Sequence, residues 1–152
     1  MDKVKPVKIP SLKNKEKRTP KKEDFNYREI VKSLLYLSTK TRSDISSGVS
    51  YSNSYMENYN QENINDVKHI MKYLKGTPDH GIQYNKGGDL SFPQAYCDAD
   101  FAGDELTRRS ATGYIIFYKN AQIGWCSRRQ PNIALSSTEA KYVATAKCCK
   151  KL

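Results

Sequence analysis

YCDADFAGDELTRRSATGY, residues 96–114, continuing into IGWCSRRQPNIALSSTEAKY, residues 123–142, carries a strand-rich pattern that ends in a helix start. Apolar and β-branched residues over Gln94–Asp98, Gly113–Tyr118 and Ala121–Ser127 read as strands, and Lys119-Asn120 between the last two reads as a hairpin turn. A further strand is expected over Asn132–Leu135. Ser136, Ser137 and Thr138 then offer helix caps, and Ala140, Val143, Ala144 and Lys147 continue as a helix.

Upstream the period changes. From Tyr27, the residues Ile30, Val31, Leu34, Leu35 and Leu37 recur at helical spacing, and Ile64, Val67, Ile70, Met71 and Leu74 do so again before Gly76. Between them Asp44 is expected to cap a short third helix carrying Ile45 and Val49, although Gly48 and its flanking serines weaken that segment. The expected fold class is α+β, with three regions: a basic flexible arm over 1–25, a helical segment over 26–88, and a strand-rich unit with one helix over 89–152. Its sheet is expected to be mixed but mainly antiparallel, with three to four strands.

The 152 residues carry a formal charge of +10, and 38% of them are hydrophobic, which is thin for a large core. Residues 1–25 hold nine Lys or Arg against four Asp or Glu, interrupted by Pro6, Pro10 and Pro20. Such a composition does not bury enough apolar area to offset chain ordering. Lys13, Lys15, Lys17, Arg18, Lys21 and Lys22, in KNKEKRTPKK, resemble a nuclear-import signal and suit nucleic-acid contact, while a lysine tail is also an ordinary solvated segment. No stretch approaches the roughly 18–20 apolar residues of a membrane span, and no apolar run follows the basic start as in a secretory signal. Cys97, Cys126, Cys148 and Cys149 contain no CxxC pair, and with only His69 and His80 beside them no zinc cluster of ordinary spacing is expected. Reduced thiols of an intracellular compartment fit best. Cys97 and Cys126, both on expected strands, read as small buried hydrophobes.

Asp98, Asp100 and Asp104 gather at the end of the first strand, where carboxylates suit a hard cation but serve equally as turn formers. Their setting narrows the choice. In order, YREIVKSLLYLSTKTRSDI (27–45), VKHIMKYLKGT (67–77), YCDADFAGD (96–104), TRRSATGY (107–114), WCSRRQ (125–130) and ALSSTEA (134–140) resemble the polyprotein of copia-type retrotransposons, and KPVKIP (5–10) fits as well. The resemblance implies that residues 1–84 correspond to the end of a reverse transcriptase and 89–152 to the beginning of its ribonuclease H domain. It further implies cleavage of RNA in an RNA–DNA hybrid, by water attacking phosphate between two Mg²⁺ ions.

In that family the first catalytic carboxylate matches Asp98, and the second falls at Lys141. A cation in place of an anion changes the local charge by two, each unit at about 4 Å being worth about 4 kcal/mol at an effective dielectric near 20. Glu139, two residues earlier on the helix, is rotated by about 200° and is not expected to substitute. The resemblance places the third and fourth aspartates beyond Leu152, and the polymerase aspartates before residue 1. It also implies a parallel strand beside the first, without which that strand's edge is open to pairing. No catalytic function, no metal site and no cofactor is therefore expected, although the ancestral family uses Mg²⁺. Lys32 and Ser43, where the family has glycine and proline, agree with relaxed selection or reuse. Arg108, Arg109, Arg128 and Arg129 form an expected basic surface that in the family approaches the hybrid backbone, or are solvated loop charge. Trp125 reads as core.

The chain also resembles the secreted RxLR effectors of oomycete plant pathogens, which act inside host cells and often suppress defence-related death. It holds no R-x-L-R string and no EER-like run. That resemblance implies a non-catalytic, copia-derived protein reused as an effector in the host nucleus or cytoplasm, with an unidentified host protein as partner and no membrane. The alternatives are a residual ribonuclease H and an intracellular protein with weak, sequence-independent nucleic-acid contact.

Overall fold

A computed structural model describes residues 25–84, 92–104 and 107–152, and these divide between Gly81 and Ile82 into two compact units. Among the described residues four helices and a three-stranded sheet make an α+β fold.

The first unit holds α1 (Tyr27–Lys40), α2 (Ser46–Asn53) and α3 (Gln61–Gly76), with a 3₁₀ turn, Ser43–Ile45, before α2. Tyr27, Val31, Leu34 and Ser38 are the buried stripe of α1, and Ile64, Val67, Ile70 and Tyr73 that of α3. Both stripes follow the i, i+3, i+4, i+7 spacing that aligns side chains on one helical face. Ile45 and Val49 of the short segment close the core between them. The Tyr27 ring stacks on Tyr59 at 4.4 Å, and its hydroxyl donates to the Ser52 carbonyl at 2.8 Å. This satisfies the one polar atom that the ring carries inside. Asn60 and Asn63 cap α3 reciprocally, each side chain accepting from the other's backbone N–H at 3.0 Å.

Asp44 does not cap α2. It lies in the 3₁₀ turn, where its carboxylate accepts from Arg42 Nη2 and from the Tyr73 hydroxyl, both at 2.8 Å. A buried guanidinium beside it outbids the nearby backbone for the carboxylate. Arg42 also donates to the Thr77 carbonyl and hydroxyl, so the network ties the start of α2 to the end of α3.

In the second unit β1 (Gln94–Asp100), β2 (Ala111–Tyr118) and β3 (Ala121–Arg129) pair in sequence order, and α4 (Ser137–Cys149) packs on β1 and β2. Both pairings are antiparallel, so the sheet of the described residues is not mixed, and β1 lies at its edge. Lys119 and Asn120 both have positive φ, 49° and 61°, the signature of a tight type I′ hairpin turn. The strand expected over Asn132–Leu135 does not form. Pro131 has no N–H to give a ladder, and the Leu135 N–H donates to Glu139 Oε2 at 2.7 Å instead. The helix cap has taken the donor that a strand would need.

Small side chains make this second core. Ala140, Ala144 and Cys148 are the buried stripe of α4, facing Thr112 and Ile116 of the sheet side. The buried amide of Gln130 donates from Nε2 to Thr112 Oγ1 and to the Ala140 carbonyl, each at 3.0 Å, while its backbone N–H donates to the Ser110 carbonyl. One side chain thereby fixes the start of α4 over the sheet.

Candidate functional site

The three aspartates at the end of β1 part company. Asp98 is still in the strand, opposite Gly113 of β2. The Asp100 carboxylate lies over the turn, where a methyl group on Gly103 would collide with it. Ala102 has a φ of 50°, and past this reversal the Asp104 carboxylate pairs with the Arg129 guanidinium and accepts from the Thr107 N–H at 3.1 Å. Arg108 N–H donates to the Asp104 carbonyl and Asp104 N–H to the Arg109 carbonyl, closing the loop on itself. Local turn chemistry and one distant arginine therefore disperse carboxylates that look clustered in sequence. Among the described residues no group of three or more His, Cys, Asp or Glu is placed to hold a metal ion.

Asp98 faces the first turns of α4. Ser136 caps that helix by accepting from the Glu139 N–H at 3.1 Å, so that Lys141 follows within its first turn and a half. Its ammonium lies 3.6 Å from Asp98 Oδ1, with the two side chains 63% and 76% exposed. Glu139 does not share this site; its carboxylate is engaged at the cap with Leu135 N–H. The S-x-x-E spacing of Ser136 and Glu139 carries this cap signal in the sequence, although here the glutamate reaches one residue further back than a capping box does. A divalent cation at Asp98 would meet the Lys141 ammonium, and among the described residues no group of three or more ligands surrounds it. The donor set does not fit Mg²⁺, which asks for several oxygen ligands in octahedral geometry.

The arginines are not presented as one surface. Arg128 lies opposite Thr112 and Arg129 opposite Ala111, and successive strand residues point to opposite faces. Arg108 is exposed in the turn with a φ of 56°, Arg109 is half-buried, and Arg129 is held by Asp104. Trp125 is half-buried opposite Ile115 of β2. Lys13, Lys15, Lys17, Arg18, Lys21 and Lys22 lie outside the described residues.

The cysteines differ from their expected burial. Cys97 is exposed and Cys126 half-buried, while Cys148 on α4 is the buried one. A β1 position opens Cys97 to solvent because no further strand of the described residues covers that edge. All four thiols are free.

Known proteins place these units among retroelement-derived chains. The chain is 43% identical over 126 residues to the Retrovirus-related Pol polyprotein from transposon RE2 of Arabidopsis thaliana, a match covering 83% of this chain and 8% of that protein. It is 44% identical over 120 residues to the corresponding polyprotein from transposon RE1 of the same plant, covering 79% and 8%. It is also 30% identical over 125 residues to Secreted RxLR effector protein 161 of Plasmopara viticola, covering 82% of this chain and 87% of that one. Its homologues at 37–44% identity are Pol polyproteins of copia-type retrotransposons. The chain spans about a twelfth of the length of the two Arabidopsis polyproteins, 8% of each. No family model matches the chain. No solved structure matches it either.

Proposed function

We propose that this chain is a catalytically silent copia-derived protein, in which the lysine at position 141 stands where a metal-binding carboxylate would be required. The observation that carries this reading is the Lys141 ammonium 3.6 Å from Asp98 Oδ1. Two-metal phosphoryl chemistry needs anionic side chains that hold both cations against the attacking and leaving oxygens. Here the one remnant carboxylate is neutralised by a neighbour on the helix that would supply its partner. The test is digestion of an RNA–DNA hybrid in Mg²⁺ or Mn²⁺ by the full chain and by Asp98→Ala. The two are expected to be indistinguishable from buffer; cleavage by the parent chain that vanishes in Asp98→Ala would establish a residual ribonuclease instead.

A second reading concerns what such a chain is kept for. Its likeness to the Plasmopara viticola protein runs along most of both chains, and that protein is named as a secreted effector. On that basis the proposed role is an effector acting inside plant cells, in nucleus or cytoplasm, where it dampens defence-related death by binding a host protein. Among the described residues no helix is long and apolar enough to cross a membrane. Expression of the tagged chain in leaf cells challenged with a death-inducing elicitor is expected to reduce lesion formation. Unchanged lesions at confirmed protein levels would remove the effector role while leaving catalytic silence untouched.

A further inference from the structure

Cys97 of β1 stands opposite Tyr114 of β2, which stands opposite Cys126 of β3. Residues directly opposite in an antiparallel pair project from the same face, so thiol, phenol and thiol form one row across the sheet. Helix α4 lies over that row, since Thr145 Oγ1 is 3.4 Å from Cys97 Sγ. Cys148 follows Thr145 by three residues and is therefore its neighbour on the helix surface. Its side chain, 2% exposed, lies close enough to Cys97 for that sulfur to add to the upward push that burial gives its pKa, as Cys126 does for the Tyr114 phenol.

We propose that Cys97 and Cys148 form an oxidation site, at which a peroxide-class oxidant joins the edge strand β1 to the last turn of α4 through a disulfide. The exposed Cys97 sulfur attacks the peroxide; its S–H proton leaves with the departing oxygen as water, and Cys97 becomes a sulfenic acid. The Cys148 sulfur then attacks the Cys97 sulfur, the S–O bond breaks, and the hydroxyl departs with the Cys148 proton as a second water. Two thiols lose two electrons and two protons, and one peroxide is reduced to two waters.

Geometry selects this pair over the others. Cys97 and Cys126 are two strand spacings apart, about 9–10 Å, beyond the roughly 7 Å between Cα atoms that a disulfide tolerates. Cys148 and Cys149 are adjacent on a helix, where neighbouring side chains diverge by about 100°. Burial pushes the Cys148 thiol above its ordinary range, and contact with Cys97 adds to this. Cys148 thus stays protonated while Cys97, open to solvent, meets the oxidant first. The pairing has an evident consequence for the fold: it closes a long loop around β2 and β3 and fixes α4 at the end opposite to the Gln130 clasp.

Full-length chain carrying Cys149→Ser, which removes the exposed neighbour from the same tryptic peptide, is treated with hydrogen peroxide and mapped without reductant. The expected product is a monomer in which the Cys97 peptide is joined to the Cys148 peptide with loss of two hydrogens, reversed by dithiothreitol. Its Tm is expected to rise by about 10 °C, the scale for cross-linking a long loop in a small unit. In a second variant with Cys148→Ser, the sulfenic acid on Cys97 is expected to be trapped by dimedone. A Cys97–Cys126 link, a cross-link found only between two chains, or peroxide consumption that leaves Cys97 as a free thiol would each overturn the proposal.

Discussion

Lys141→Glu tests the silent site at its centre, because it restores a carboxylate beside Asp98 and reverses the sign of the contact. At the observed 3.6 Å the attraction is about 1 kcal/mol in water. With both side chains more than half exposed, the solvent end of the range applies, and such pairs are measured at about 0.2–1 kcal/mol. Removing the ion pair and introducing repulsion of similar size should therefore destabilise the chain by about 1 kcal/mol in metal-free buffer, once the exposed side chains rotate apart. Adding Mg²⁺ or Mn²⁺ should reverse the deficit in Lys141→Glu, since a cation at tenfold its dissociation constant contributes about 1.4 kcal/mol. Thermal unfolding in chelator, in NaCl and in MgCl₂ of matched ionic strength separates specific binding from screening. The parent chain is expected to show the same Tm in both salts. A saturable Mg²⁺-dependent rise in the parent, lost in Asp98→Ala, would refute the reasoning, because it would mean that the ammonium leaves the carboxylate free for metal.

Three further outcomes follow from the described contacts. Arg42→Met should cost about 1–3 kcal/mol by urea unfolding, because it leaves the third-exposed Asp44 carboxylate with the Tyr73 hydroxyl and removes the donors to the Thr77 acceptors that the buried guanidinium now serves. Burial pushes the Asp66 carboxyl up to about 6, helped by Glu62 and opposed by His69, so the folded chain holds a proton that the unfolded chain has lost between about pH 4 and 6. This group's contribution is thus present below about pH 4 and lost as pH rises to 6; Asp66→Asn should flatten that slope and stabilise the chain at pH 7 by about 1 kcal/mol, a figure reduced because the group is half-exposed. Lys119→Asn with Asn120→Gly should stabilise the hairpin by about 1 kcal/mol in thermal unfolding, since both positions have positive φ and Asn-Gly adopts that turn with least strain.

The helical unit and the hairpin were legible because their signals are local. The 3.6-residue recurrence of Val31, Leu34, Ile64, Val67 and Ile70 names residues that the structure buries, and Lys119-Asn120 lies at the turn. Sequence failed where a side chain chose between a neighbour and a distant partner. Asp44 looks like a cap, yet Arg42 and Tyr73 claim it; burial alone would raise its carboxyl, but their hydrogen bonds hold it below the ordinary range. Asp104 looks like a companion of Asp98, but its arginine lies 25 residues downstream. Asn132–Leu135 has strand composition, but its last donor belongs to the helix cap. Gln130 gave no signal at all, because a buried amide bridging a strand and a helix has no period and no fixed spacing.

The contact between Lys141 and Asp98 depends on side chains that carry no charge. Helix α4 presents Ala140, Ala144 and Cys148 to the sheet, and small residues let a helix axis approach closely. Cys97 and Asp98 are consecutive on β1, and they meet Thr145 and Lys141, which are four apart on α4. Successive strand residues point to opposite faces, so α4 seated over the Cys97 face near the open edge of β1 lets the long, exposed Lys141 side chain reach Asp98 around that edge. Gln130 holds the beginning of that alignment by its bond to the Ala140 carbonyl. The same close approach that brings a lysine to the remnant carboxylate therefore brings Cys148 to Cys97. The Lys141–Asp98 contact and the proposed thiol pairing both depend on this helix seating, and a larger residue at Ala144 would disturb both together.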